Sequence, residues 1–285
     1  FGLEYKRYEN QHAEIYVTES SDRAFEEEVM LSGFANAQVK AEGSGVSFDT
    51  AQETYTARYT HDTVALAFAI TEEAIEDNLY DRLASRYTKA LARSMSNAKQ
   101  VKAAKPLNDG LPSVDNFDSG DGVSLFNTAH TTVSGTNVKN TLTTQADLNE
   151  TSLEQALIDI AAMTDERGLR VAARAMKMII PSANQFTAER LMKSQGRVGT
   201  ADNDINAVVS MGMVPQGYRV NNFLTDTDSW YLITDVPNGM KMFQRAALKT
   251  AMEGDFDTGN VRYKARERYS FGVSDFRGIF GVEGA

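Results

Sequence analysis

The chain has 285 residues, no cysteine and a net charge of −10 at pH 7, and its pI is about 4.9. The lack of cysteine excludes disulfides and thiolate metal sites, as suits a reducing cytoplasm, and no apolar run approaches the ~18 residues of a membrane-spanning helix. The acidic balance argues against generic nucleic-acid binding, because phosphates must be neutralised by a basic surface. A chain of this length can bury a core in one large domain or two.

The first segment, residues 1–34, is polar and rich in tyrosine and glutamate. Its pattern predicts one short helix at residues 22–30. The segment has too little apolar surface to fold alone, so we expect an N-terminal arm that frays or lies along a larger body.

A two-residue hydrophobic period over residues 46–70 predicts a β-hairpin. We expect a strand through Phe48, a turn at residues 49–53 and a long returning strand through Tyr55 and Tyr59. A two-stranded ribbon is at best marginally stable alone. The hairpin must therefore pack either on its own domain or on a neighbouring subunit, and the pattern leaves both open. Phe48, Tyr55 and Tyr59 are candidate assembly contacts.

The longest helical pattern runs over residues 71–102 without glycine or proline. Thr71 is placed to cap it, and Ile70 and Ile75 have the spacing of a hydrophobic staple. Apolar side chains recur on one face at steps of three or four: Ile75, Leu79, Leu83, Tyr87, Leu91, Met95 and Ala98. About 30 residues would make a helix of about 45 Å, so the pattern predicts a rigid spine.

Beyond the spine, the pattern predicts a loop-rich stretch, then an α/β-type subdomain, then strands. The first predicted element is a helix, which Thr151 and Glu154 open in capping-box spacing and Gly168 stops. A buried strand at 176–180, a helix at 183–196 and a hairpin at 217–236 follow. From Met240 onward, the pattern predicts strands at MKMFQR, LKTAM, VRYKARERYSFGV and FRGIFGV.

No set of residues converges on a catalytic or cofactor chemistry. His12, His61 and His130 are far apart in sequence, and none lies in a metal-binding spacing such as HExxH. The chain has no GxSxG, GxxxxGK[ST] or GxGxxG motif. We therefore predict no catalytic residue, no cofactor and no metal.

Aspartate-rich turns are the only trace of a metal site. A calcium-like loop begins at Asp202 but carries Ala207 where glycine is required and Met213 where glutamate is required. The pairs Asp226/Asp228 and Asp255/Asp257 lie in turn-like sequence, where aspartate commonly caps its own backbone. A metal-dependent hydrolase that uses these turns stays open as a minor alternative.

A row of basic residues in VRYKARERYSFGV is the one charge pattern that invites a functional interpretation. Arg262, Lys264, Arg266 and Arg268 occur at every second position, so in a strand all four point to one side. The row is either a solvated sheet face or a surface that meets acidic residues of a neighbouring copy. Phosphate contact is less favoured because the whole chain is acidic.

Several long stretches resemble one protein family. VALAFAITEEAIEDNLYDRLASRYTKALARSM (64–95) resembles the hairpin return and spine helix of tailed-bacteriophage major capsid proteins, and in particular the Mu-like major head subunits. The later segments of the same family are similar to DLNETSLEQALIDIA (147–161), IIPSANQFTAERLM (179–192), GTADNDIN (199–206) and the stretch 223–281.

This resemblance implies an α+β fold of the Hong Kong 97 type. The implied parts are an N-terminal arm (1–34), an extended hairpin loop (35–70), a peripheral domain (71–145 and 237–275) with the spine helix at 71–102, and an axial domain (146–236) to which the last strand (276–285) returns.

The resemblance also implies a function. A major capsid protein of a tailed double-stranded DNA phage would assemble into pentamers and hexamers of an icosahedral shell around the genome, without enzymatic activity. Its partners would be other copies of itself, portal, scaffold or decoration proteins, and DNA enclosed without sequence-specific binding. It would be assembled in the host cytoplasm and found in the virion capsid. An encapsulin-like nanocompartment shell is the main alternative.

Overall fold

The chain folds into two units, each built from three separate segments. A computed structural model describes residues 1–77, 80–197, 204–255 and 257–285. The first unit comprises Phe1–Glu26, Tyr59–Ala104 and Met242–Phe271, and the second comprises Glu27–Arg58, Lys105–Lys241 and Gly272–Ala285. Within the described residues, no helix is both long and apolar enough to cross a membrane.

The strands are β1 (Val17–Ser20), β2 (Phe25–Leu31), β3 (Glu53–Thr60), β4 (Asp62–Ile70), β5 (His130–Thr131), β6 (Asn137–Val138), β7 (Ala175–Ile180), β8 (Tyr218–Val220), β9 (Trp230–Thr234), β10 (Met240–Gly254), β11 (Val261–Val273) and β12 (Ile279–Val282). The α-helices are α1 (Gly2–Tyr5), α2 (Glu72–Glu76), α3 (Tyr80–Asp109), α4 (Glu150–Ala162), α5 (Gln185–Lys193) and α6 (Ala207–Ser210). Short 3-10 helices cover Gln11–Glu14, Ser182–Asn184 and Phe276–Gly278.

The first unit is a four-stranded sheet with helix α3 packed on one face. Its strand order is β1-β10-β11-β4, and β11 runs antiparallel to β4 with Tyr269 opposite Asp62. Leu91 and Met95 of α3 pack against Ala265 of β11. The core thus forms where the apolar face of helix α3 packs against the apolar face of strand β11. Burying each large apolar side chain contributes about 1.5–3 kcal/mol.

The second unit contains the sheet β12-β9-β7-β8. Strand β7 pairs parallel with β8 and antiparallel with β9, so it lies between them. The hairpin predicted at 217–236 is therefore wrong. Its two strands are both present, but they pair with β7 instead of with each other, because the apolar run of β7 is buried most completely at the centre of a sheet.

Helix α4 begins two residues earlier than predicted. Asn149 is its N-cap, and the Asn149 side chain accepts a hydrogen bond from the backbone N–H of Ser152 at 2.9 Å. The Ser152 hydroxyl accepts one in return from the backbone N–H of Asn149 at 3.0 Å. The capping box predicted from Thr151 and Glu154 is therefore wrong, as is the stop at Gly168, since the helix ends at Ala162.

The hairpin in the N-terminal third is also paired differently from the prediction. Strand β3 pairs with β2, and the returning strand β4 pairs with β11 of its own chain. Residues 22–30, predicted as a helix, belong largely to β2, and residues 46–48 are not in a strand. Strands β2 and β3 thus form a hairpin over residues 25–60, with its tip at 32–52.

In the described residues, the predicted spine corresponds to the two helices α2 and α3. Thr71 caps α2, and its hydroxyl accepts the backbone N–H of Ala74 at 3.4 Å. Helix α3 continues beyond residue 102 through Pro106 to Asp109. Leu79 and the side chain of Leu83 lie outside the described part of the chain.

Candidate assembly surfaces

The basic row lies on the face of β11 that points away from α3. Arg262, Lys264 and Arg266 are exposed and Arg268 is half-buried, as the alternation of β11 predicts. The residues opposite them on β4 are small: Thr63, Ala65, Ala67 and Ala69. On the β4 side, small residues therefore leave these cations accessible.

Two exposed cations of the row have no counter-ion among the described residues. Arg262 forms an ion pair with Asp255. Lys264 and Arg266 take part in no ion pair among the described residues. Their charge is therefore available to a partner.

A buried ion pair fixes β11 beneath the row. Glu267 is 1% exposed and accepts hydrogen bonds from Lys99 of α3 at 3.3 Å and from the Tyr5 hydroxyl at 3.2 Å. Burial, reinforced by the negative charge of Glu267, raises the pKa of Tyr5. Removing one partner of such a buried pair typically costs about 3–5 kcal/mol, so the strand that carries the row is held firmly.

The three aromatic assembly candidates fall into different environments. Phe48, at the hairpin tip, is 97% exposed. Tyr59 is 2% exposed and packs edge-on against Phe243, with ring centroids 4.8 Å apart. The side chain of Tyr59 is therefore buried within its own unit and presents almost no surface to a neighbouring copy.

Tyr55 is likewise turned inward. A Cβ on Gly120 would lie 2.7 Å from the Tyr55 ring, so this glycine is the residue that admits the ring. Burial, with a smaller effect from nearby Asp275, raises the pKa of Tyr55. Tyr55 and Tyr59 share one strand face, as their period of two predicts, but that face is the buried one.

The hairpin 25–60 carries an apolar and acidic surface that the sequence pattern did not reveal. Phe25, Glu27, Val29 and Leu31 all point outward from β2, and at the tip Val39 is 100% exposed. Six acidic and two basic residues give the hairpin a net charge of −4. The short helix predicted at residues 22–30 would not place these side chains on one face, whereas alternate residues of β2 lie on the same face.

Other segments of the second unit contact the hairpin at both its base and its tip. Glu28 on the inner side of β2 forms an ion pair with Lys241 and accepts a hydrogen bond from Ser274. Arg167 donates to the backbone carbonyl of Thr50 at 2.7 Å. These contacts hold parts of the hairpin, while Phe48 and Val39 remain exposed.

His12 has a structural role. Its backbone N–H donates to Oε1 of Gln100 at 2.9 Å, and Nε2 of Gln100 lies 2.9 Å from His12 Nδ1 and also donates to the Glu9 carbonyl. The amide orientation is thus fixed, so Nδ1 must accept and the ring is neutral. Burial, followed by the positive charge of Lys99, lowers the pKa of His12 to about 4.

The other two histidines are also enclosed by polar partners. His61 lies 2.9 Å from the hydroxyls of both Ser21 and Ser270, and burial lowers its pKa. His130 is fully buried, lies 2.6 Å from a carboxylate oxygen of Asp121 and stacks on Phe276.

The aspartate-rich turns cap themselves. An Asp226 oxygen accepts the backbone N–H of Asp228 at 3.3 Å, and Asp255 accepts the hydroxyl of Thr258 at 2.7 Å. Among the described residues, no group of three or more histidine and carboxylate side chains is arranged to hold a metal ion. Asp202, where the calcium-like loop begins, lies outside them.

Comparison with known proteins places the chain in a family. The sequence profile of the phage capsid protein family matches residues 54–282, about four fifths of the chain. The chain belongs to the phage capsid protein family. No curated protein sequence matches this capsid protein.

Solved structures with the same fold include phage capsids. The capsid of Myoviridae phage XM1 matches 95% of this capsid protein and 90% of its own chain, with 12% identity and a TM-score of 0.57. The corresponding values for Mycobacterium phage Patience are 100%, 85%, 11% and 0.58, and for a virus-like particle from Pyrococcus furiosus 99%, 95%, 9% and 0.53. These likenesses confirm the predicted fold class, the Hong Kong 97 type.

Family membership confirms the predicted function at the level of the shell. The capsid protein is a structural component that associates with itself in a capsid shell of the virion.

Proposed function

We propose that this protein forms the pentamers and hexamers of an icosahedral phage shell that encloses double-stranded DNA. The single observation that carries the proposal is that one chain exposes two complementary surfaces. One is a hairpin that exposes apolar and acidic side chains, and the other is the basic row, in which Lys264 and Arg266 take part in no ion pair among the described residues.

Apolar burial supplies the driving force for assembly. The hairpin tip exposes Phe34, Val39, Val46 and Phe48. Each such side chain contributes up to about 1.5–3 kcal/mol when a neighbour covers it. A specific interface buries at least about 1,000 Å², and many small interfaces add up in a closed shell.

Charge sets the register of the contact. We place the acidic hairpin of one copy against the basic row of the next, with Lys264 and Arg266 as the free cations. Complementary charges of this kind raise association rate and specificity more than they raise affinity. In this arrangement Phe48 and the four basic residues remain assembly contacts, whereas Tyr55 and Tyr59 support the hairpin from within.

The domain assignment follows the same proposal. The N-terminal arm would be residues 1–24, ahead of β2, instead of 1–34. The extended loop would be the hairpin 25–60 instead of 35–70. The first unit would serve as the peripheral domain with its spine helix, and the second unit, which includes the last strand, as the axial domain. Portal, scaffold or decoration proteins and assembly in the host cytoplasm belong to this proposal as well.

An encapsulin-like compartment is the second candidate, because a virus-like particle from an archaeon shares the fold. The contents of purified particles separate the two: nucleic acid supports the phage shell, and a protein cargo supports the compartment. Size-exclusion chromatography and electron microscopy under assembly conditions test self-assembly itself. A compact monomer that persists at high concentration would contradict both candidates.

A further inference from the structure

Helix α3 has a charge composition unlike the rest of the chain. Residues 82–108 contain seven basic residues and no acidic residue. Taking these seven cations out of the total of −10 leaves a net charge of −17 on the remainder. The helix is therefore a local concentration of positive charge in a strongly acidic protein.

Only part of this charge is neutralised by the fold. Lys99 is paired with Glu267, Lys102 with Asp62 and Lys105 with Asp109. The remaining described cations, Arg86, Lys89 and Arg93, are exposed and take part in no ion pair among the described residues.

These three cations lie on one face of α3. Positions 86, 89 and 93 are three and four residues apart, which places them on one side of a helix, and Arg86 and Arg93 are separated by about 10 Å along its axis. Ala90 and Asn97 are exposed on the same side. We call Arg86, Lys89, Arg93 and Asn97 the α3 stripe. Leu91 and Met95 are buried against the sheet, so the stripe points away from it.

The chemistry of the stripe selects a polyanion as its partner. All four side chains can donate hydrogen bonds, and the described part of the stripe holds no carboxylate. Ala90, the small apolar residue exposed on the same side of α3, is too small to anchor a protein interface in a pocket. Arginine, lysine and asparagine are the usual donors to phosphate oxygens of nucleic acids.

We propose that the α3 stripe binds the phosphate backbone of double-stranded DNA without reading its sequence. This inference rests on the proposed function, because it makes the enclosed DNA the ligand. The basic row of β11 is assigned to contacts between copies in the proposed function, and the rest of the chain is acidic, so the DNA contact is placed on this stripe. The DNA is then held at a few points and repelled elsewhere, which keeps the packed genome mobile.

Salt dependence gives the proposal a quantitative signature. Each phosphate neutralised on a duplex contributes about −0.9 to the slope of log Kobs against log salt concentration. Three cations predict a slope of about −3. A contact that read base edges would depend on sequence, whereas this one has the same affinity for duplexes of any composition.

The test measures binding of fluorescent 30-bp duplexes to the full-length subunit between 50 and 200 mM salt. The variant R86Q/K89Q/R93Q is compared with a control, R190Q/K193Q/K249Q, which removes three exposed cations elsewhere. We expect the stripe variant to lose at least tenfold in affinity at 50 mM salt and most of its salt slope, and the control to stay within twofold of wild type. Equal losses in both variants, or no loss in the stripe variant, would overturn the proposal.

Electron microscopy of the same variants separates this inference from the proposed function. We expect both variants to close shells, so a stripe variant that closes shells but still binds DNA normally refutes only the stripe. A stripe variant that binds DNA normally but fails to assemble would show that the stripe is a contact between subunits, and would also overturn the proposal. The variant R86K/R93K keeps the charge and should bind like wild type.

Discussion

We expect acid to lower the free energy of unfolding of the first unit through His12. The neutral ring of His12 accepts a hydrogen bond from Gln100 of α3, and its pKa is lowered from 6.5 to about 4. The unfolded chain binds a proton at pH values where the folded chain does not, so stability falls as the pH falls from above 6.5 toward 4. The loss attributable to His12 is about 2 kcal/mol at pH 5 and up to about 3 kcal/mol below pH 4.

The expected effect is confined to the first unit and can be followed separately. The single tryptophan, Trp230, is buried in the second unit, so its fluorescence reports that unit, whereas far-UV circular dichroism reports both. Urea unfolding of unassembled subunits at pH 7 and pH 5 should show a pH-sensitive transition by circular dichroism that the fluorescence transition does not share.

The variant His12→Gln isolates the contribution of this histidine, because burial also lowers the pKa of His61 in the same unit. The variant should have a smaller loss of stability between pH 7 and pH 5 than wild type, by about 2 kcal/mol. Identical pH dependence in the two proteins would refute the proposed role of the Gln100 contact.

Three further predictions concern the assembly surfaces. Lys99→Met should destabilise the subunit by about 3 kcal/mol or more in urea unfolding, because it leaves Glu267 buried without a counter-ion, and adding Glu267→Gln should recover part of the loss; additive losses would contradict the pairing. Phe48→Ser should lower the yield of closed particles with an unchanged free energy of unfolding, whereas Tyr59→Ala should cost about 3–5 kcal/mol of subunit stability; the reverse result would show that the two aromatic roles are exchanged. Arg266→Glu should reduce particle yield more than subunit stability, and an undiminished yield at low salt would count against the basic row.

Long periodic patterns could be predicted from the sequence alone. Strand β11 has the bounds of the predicted stretch VRYKARERYSFGV, and its cations point to one side, because alternate residues of a strand lie on the same face. Thr71 was also predicted correctly as a cap, since capping depends on neighbours within four residues. The family could be recognised because long stretches kept its pattern.

Strand pairing could not be predicted, and this changed the description of the hairpin. Residues 25–31 fit a helix through Phe25 and Val29 as well as they fit a strand, and pairing with β3 decides between them. A period of two shows which residues share a face but not which face is buried. Tyr55 and Tyr59 were therefore assigned to the outside, although contacts with Gly120 and Phe243 place them inside.

The sequence by itself determined the acidic balance, the lack of cysteine chemistry, the amphipathic helix and the alternating basic strand, because each depends on composition or on neighbours along the chain. Only the tertiary structure decided which charges are available. Lys99 is neutralised by Glu267, 168 residues away, while Arg86, Lys89 and Arg93 on the same helix remain exposed. The physical reason is that a charge is neutralised by a counter-ion that lies nearby in space, and the distance along the chain does not reveal which residues become neighbours.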